Sequence, residues 1–160
     1  MSLSQFFAFD YVIGYFTFCA SPAVLSHPPE IAFATMPAKK RVLFVDDHED
    51  TCALVSGILK DFEVNSEHSK VGGLRQAATQ KFDLMLVDYY LPDGTGLELC
   101  VLIRGFDPNT PVLIVTGTHS ITHEQVLAVG GQGVIRKEHL SYVLPAAVAS
   151  LLELKLLGKP

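Results

Sequence analysis

Residues 84–87 read LMLV and stop abruptly at Asp88, and this junction constrains the fold more than any other feature of the chain. A continuous apolar run of this length is the pattern of a strand buried on both faces, and hence of a parallel sheet. Asp88 then stands at the carboxyl end of the strand, beside the crevice where open α/β folds bind ligands. Taken alone, an aspartate in that place reads as a helix cap or turn residue. Pro92, Asp93, Gly94 and Gly96 follow it in a loop dense in turn formers, and loops of that kind on a rigid scaffold carry sites.

The flanking sequence repeats the pattern. Arg41–Val45 (RVLFV) reads as a buried strand ending in Asp46 and Asp47, and 48–59 as a helix with Ala53, Leu54, Ile58 and Leu59 at helical spacing. A weaker strand is predicted over 62–67, then a helix from about Leu74 to Gln80, delayed by Gly72 and Gly73. Beyond Asp88 the spacing predicts a helix over 97–103, a strand over 111–116 (PVLIVT), a helix over 121–129 and a short strand at Val134 and Ile135. A last helix is expected from about Leu144 to Leu157, with Pro145 in its first turn. Five βα units in tandem, joined by right-handed crossovers, make an α/β fold. It is a doubly wound, five-stranded parallel sheet with helices on both faces.

At 160 residues and 49% hydrophobic, the chain holds one domain with length to spare. A net charge of -5 without a basic stripe argues against a sequence-independent nucleic-acid binder. Lys39, Lys40 and Arg41 form only a local, solvated cluster. Cys19, Cys52 and Cys100 make neither a CxxC motif nor a disulfide framework, which fits a reducing, cytoplasmic setting. Residues 1–38 differ from the rest: six of the ten phenylalanines lie there, with Pro22, Pro28, Pro29 and Pro37. The stretch 6–25 is nearly long enough for a membrane span, but it contains Asp10, costing about 2.5–3.5 kcal/mol at mid-helix, and no basic region precedes it. Neither a secretory signal nor a membrane anchor is expected. Met36 reads like a natural start, so residues 1–38 are expected to be a leader or extension and 39–160 the working domain.

The chemistry gathers at strand ends. Asp46 and Asp47 end the first strand, Asp88 the third and Thr116 the fourth, and Lys137 follows the fifth. Three carboxylates in one crevice repel one another unless a cation holds them, and all-oxygen ligands suit Mg²⁺. A lysine and a hydroxyl opposite them are what a phosphoryl group needs around its oxygens. His119 and His123 are four apart, but no third ligand accompanies them, so no zinc site is read there. The chain has no GxxxxGK motif, so nucleotide hydrolysis is not indicated.

With these residues in place the chain resembles a response-regulator receiver domain (CheY-like) of two-component signalling, over about Lys39 to Leu157. The resemblance rests on the acidic pair, the D-x-x-x-P-x-x-x-G loop of Asp88, Pro92 and Gly96, the hydroxyl of Thr116 and the lysine at 137. It implies that Asp88 is the phosphoacceptor, taking a phosphoryl group from a sensor histidine kinase or phosphotransfer protein as an aspartyl phosphate. It implies that Asp47 ligates Mg²⁺ directly with Asp88, that Asp46 acts mainly through water, and that the Tyr90 backbone carbonyl completes the protein's share. Lys137 would pair with Asp88 at rest and with the phosphoryl group afterwards, and Thr116 would hydrogen-bond a phosphoryl oxygen. Such a domain catalyses only its own phosphorylation and dephosphorylation.

Two positions depart from the family pattern. Val134 stands where an aromatic switch residue is usual, and Glu138 replaces the proline that usually follows the lysine, so a trans peptide is expected there. No helix-turn-helix or other output segment is apparent after the last helix, which reads as a stand-alone receiver acting by contact with an unidentified protein target. One rival is a degenerate receiver that docks without cycling phosphate. An aspartyl-nucleophile phosphatase is the other, disfavoured because Tyr90 occupies the place of the second acid. The leucines of the last helix (151, 152, 154, 156 and 157) span more than one face, so a homodimer, a partner or the leader is expected to cover them.

Overall fold

The computed structural model describes residues 38–156, with side chains to 153, all within the compact unit Met36–Pro160. The expectations for residues 1–37 and for the last leucines lie outside the described residues.

Five strands form one parallel sheet: β1 (Arg41–Val45), β2 (Glu63–Glu67), β3 (Leu84–Asp88), β4 (Val112–Thr116) and β5 (Gly133–Arg136), in the order β2-β1-β3-β4-β5. The order reverses between β1 and β3, which makes the ends of those two strands the topological switch point. The apolar runs of β1, β3 and β4 are central and buried on both faces. β2 is an edge strand with no fully buried residue, which is why its sequence pattern is weak. One layer, with α2 (Lys70–Thr79), α3 (Gly96–Arg104) and α4 (His123–Ala128), closes over Leu43, Val45, Met85, Val87 and Ile114. The other, with α1 (Glu49–Ile58) and α5 (Leu140–Leu156), closes over Val42, Phe44, Leu84, Leu86 and Val115. Among the described residues, no helix is long and apolar enough to cross a membrane.

Three boundaries differ from expectation. α2 begins at Lys70 rather than near Leu74, because Ser69 caps it through Gly72 N and the Asp93 carboxylate accepts from Lys70 N and Val71 N at 2.6 and 2.9 Å. Its glycines reflect close approach and not a break: a Cβ on Gly73 would come within 2.7 Å of Val45 Cγ2. α4 is shorter than read, starting at His123 behind a capping box of Thr122 and Gln125. α5 starts at Leu140, directly after a 3₁₀ turn over Lys137–His139, so Pro145 lies inside the helix rather than in its first turn. The buried side chains of Leu140 and Leu144 anchor that extra turn, while Pro145 faces solvent. Leu151 and Leu152 are half-buried against the α1/α5 layer.

Candidate functional site

Each strand end delivers its polar residue because the apolar run before it is locked in register. Phe44 pairs with Leu86 and Val45 with Val87, so Asp46 and Asp88 emerge side by side. Both are buried, Asp46 completely. Gly96 permits the turn after Asp88: a Cβ there would collide with the Asp88 carbonyl oxygen. Beyond the strand, Tyr90–Leu91 and Gly94–Thr95 pair as a two-residue antiparallel ribbon where the sequence pattern reads as plain loop.

Lys137 lies across the two acids. Its Nζ is 2.7 Å from Asp46 Oδ2 and 3.3 Å from Asp88 Oδ2, so in this state it leans on Asp46 more closely than on the expected partner. At that distance the contact of Asp46 Oδ2 with the ammonium is a short, charge-assisted ion pair. The Asp88 carboxyl is raised to about 6 overall: burial pushes it up most, the Lys137 ammonium pulls it down, and the Asp46 charge adds to the rise. Burial also works against the charge on Lys137, but its contacts with Asp46 and Asp88 outweigh that and hold it above the ordinary lysine range. One ammonium faces two buried carboxylates, and Asp47 adds a third at the surface.

An open cleft of about 560 Å³ lies above these groups, lined by His48, Thr51, Asp88, Tyr90, Gly117, Thr118 and Lys137. Thr116 is fully buried, its Oγ1 accepting from Thr118 N at 3.1 Å, so Gly117 and Thr118 form that wall. Thr51, Gly117 and Thr118 were missed in the sequence; the signal was adjacency, one turn after the acidic pair and directly after the strand-end hydroxyl. Arg136, next to Lys137, ties β5 to this wall by donating to the Thr118 carbonyl and, at 3.0 Å, to that of Ile121. The Lys137–Glu138 peptide is trans. His119 lies outside α4 and faces Glu138 at 3.9 Å; among the described residues His119 and His123 belong to no metal-ligating cluster.

The sequence model of the response regulator receiver domain matches residues 42–149, spanning all five strands. The chain belongs to this family. As a receiver domain it is 35% identical over 83 residues to Transcription factor prr1 of Schizosaccharomyces pombe, a match covering 51% of this chain and 15% of that protein. It is 32% identical over 88 residues to Response regulator ArlR of Staphylococcus saprophyticus, covering 54% and 39%. The chain thus spans well under half the length of these curated relatives. A CheY-like receiver domain protein from Methanospirillum hungatei superposes with a TM-score of 0.68 at 26% identity, covering 74% of this chain and 97% of that one. The domain is therefore a signalling module of the two-component class, with the flavodoxin-like receiver fold.

Receiver domains bind Mg²⁺ at acidic residues, and the donors here suit a divalent cation. Asp46, Asp47 and His48 present ligand atoms within 4.8 Å of one another, and the single Lys137 ammonium leaves the buried pair Asp46 and Asp88 with excess negative charge.

Proposed function

We propose that this receiver takes a phosphoryl group on Asp88 from a sensor histidine kinase or phosphotransfer protein and signals by phosphorylation-dependent contact with a protein target. The single observation that carries this reading is a buried strand-end carboxylate, Asp88, opening on a cleft beside one ammonium. An Asp88 oxygen attacks the phosphorus of a phosphohistidine, the P–N bond breaks, and the leaving imidazole takes up a proton. Asp47, Asp88 and the Tyr90 carbonyl would hold Mg²⁺, with Asp46 acting mainly through water; the bound ion supplies charge neutralisation for the phosphoryl oxygens.

The chain's own residues do the rest. Lys137 carries a charge that can follow the new phosphoryl oxygens, and the short β4–α4 wall supplies donors on the far side of the cleft. Thr116 Oγ1 accepts from the Thr118 amide and keeps its own O–H to donate to a phosphoryl oxygen. Val134, half-buried against the α2/α3/α4 layer, is too short and stiff to act as an inward-turning ring, which weakens coupling to the face made by α4, β5 and α5.

Intact mass after incubation with Mg²⁺ and acetyl phosphate tests the reading. One added phosphoryl group is expected, lost on chelation and in Asp88→Asn. Absence of incorporation in the native chain would favour the docking-module reading, and multiple turnover on small phosphomonoesters the phosphatase one.

A further inference from the structure

β5 ends in two cations that turn to opposite faces of the sheet. Lys137 goes to the acids. Arg136 shares the face of Val134, two residues before it, and stands beside Thr116 in the parallel register. Its half-buried guanidinium forks across the segment between β4 and α4: Nη1 donates to the Thr118 carbonyl and Nη2 to the Ile121 carbonyl at 3.0 Å. One planar group thus ties two carbonyls of a short loop to β5, which a guanidinium can do and an ammonium cannot. Ile121 is buried and precedes Thr122, the cap of α4, so the second prong fixes the point where that helix begins. The first prong fixes Thr118, which lines the cleft with Asp88 and Lys137. Thr118 is held from two further sides: its Oγ1 accepts from Ser120 N at 3.2 Å, and its own N–H donates to Thr116 Oγ1 at 3.1 Å. That donation takes up a lone pair of the buried Thr116 hydroxyl and so orients the O–H it leaves free.

We propose that Arg136 is a positioning residue for phosphoryl transfer to Asp88: by clamping the Thr118 and Ile121 carbonyls it holds the wall of the cleft and aims the Thr116 hydroxyl. The inference deepens the reading above and rests on Asp88 as the phosphoacceptor. Arg136 itself does not line the cleft, so it acts through Thr118. Donors around a phosphoryl group help by being fixed before the reaction, and a displacement of about 1 Å can cost about a hundredfold in rate. The wall has little packing of its own to fix it, since Gly117, His119 and Ser120 are exposed and Thr118 is only half-buried. The clamp supplies what packing does not.

The test follows phosphoryl incorporation into the full chain from acetyl phosphate at saturating Mg²⁺, read by intact mass. An Asp88 oxygen bonds to phosphorus, and acetate leaves with the electron pair of the broken P–O bond. Arg136→Gln should lower the maximal rate roughly tenfold, while Mg²⁺ affinity in titration calorimetry stays within about twofold of native, because the wall serves the phosphoryl group and not the cation. In a Thr116→Val background the same substitution should cost less than about twofold, since the hydroxyl it positions is gone. Arg136→Lys keeps the charge and the stem but offers a point donor in place of the fork. It should slow the reaction roughly threefold, and it carries the same comparison if the glutamine variant does not fold. A native rate in both variants, or an equal slowing in the Thr116→Val background, would overturn the role of Arg136 while leaving Asp88 as the phosphoacceptor. A loss of Mg²⁺ affinity in step with the loss of rate would overturn it as well. No incorporation into the native chain would overturn both readings.

Discussion

The two ends of β1 carry ion pairs of similar length and opposite consequence. At the amino end, Lys40 meets Asp83 and Arg41 meets Glu63, each at 3.0 Å, with cations and anions matched and substantially exposed. At the carboxyl end, Lys137 alone serves Asp46 and Asp88, whose side chains are 0% and 5% exposed. Water screens the first set, so each pair contributes about 0–1 kcal/mol. The second set is desolvated and short of positive charge, and it is there that a carboxyl is displaced to about 6. Distance alone does not separate a structural ion pair from a site; burial and charge imbalance do.

The contrast can be broken most forcefully at Lys137. Lys137→Met strands two buried carboxylates and should cost roughly 2–4 kcal/mol in urea unfolding at pH 8 without divalent cation. The loss should shrink as pH falls toward about 6, because Asp88, no longer held down by the Lys137 ammonium, takes up its proton at a higher pH than in the native chain. Next in size, Asp88→Asn should stabilise the metal-free protein at pH 8 by on the order of 1–2 kcal/mol. The sign follows from the raised folded-state pKa: between the ordinary carboxylate value and about 6 the folded chain binds the extra proton. Ionised Asp88 therefore costs stability above that window, and the advantage of the amide substitution should fade as pH drops through it. A saturating divalent cation should raise the melting temperature of the native chain and reverse the order of the two proteins, because bound ligand adds stability only to the chain that binds it. At the other end of β1, Lys40→Met should change stability by less than about 1 kcal/mol, and 0.5 M salt should erase most of that. A cost at Lys40 comparable to that at Lys137 would remove the distinction.

What the sequence revealed follows the same division. The central strands were legible because LMLV and RVLF leave no polar face, and the acids closing them were legible as interruptions. α2 was misplaced because Gly72 and Gly73 carry opposite meanings in local and tertiary terms: poor helix formers by propensity, yet the residues that let the helix rest on Val45. α5 was misplaced because Leu140 reads as part of a loop until its burial is known. For the strand-end polar residues, position was legible but allegiance was not. That Lys137 leans on Asp46, that the Thr116 hydroxyl accepts from Thr118 N, and that Arg136 turns to the Thr118 wall all depend on side-chain directions that spacing does not encode.

The Asp93 carboxylate, in the segment between Asp88 and the Gly96 turn, accepts the backbone N–H groups of Lys70 and Val71, and the Lys70 ammonium reaches back to Glu98 at 2.8 Å. Amides in the first turn of a helix have no partner within the helix and ordinarily exchange with solvent at once. Here two of them are protected only while the segment following Asp88 stays closed. Deuterium uptake at Lys70 and Val71 is thus a clock for the opening of that segment, readable at a distance from Asp88 and without labelling the acid itself.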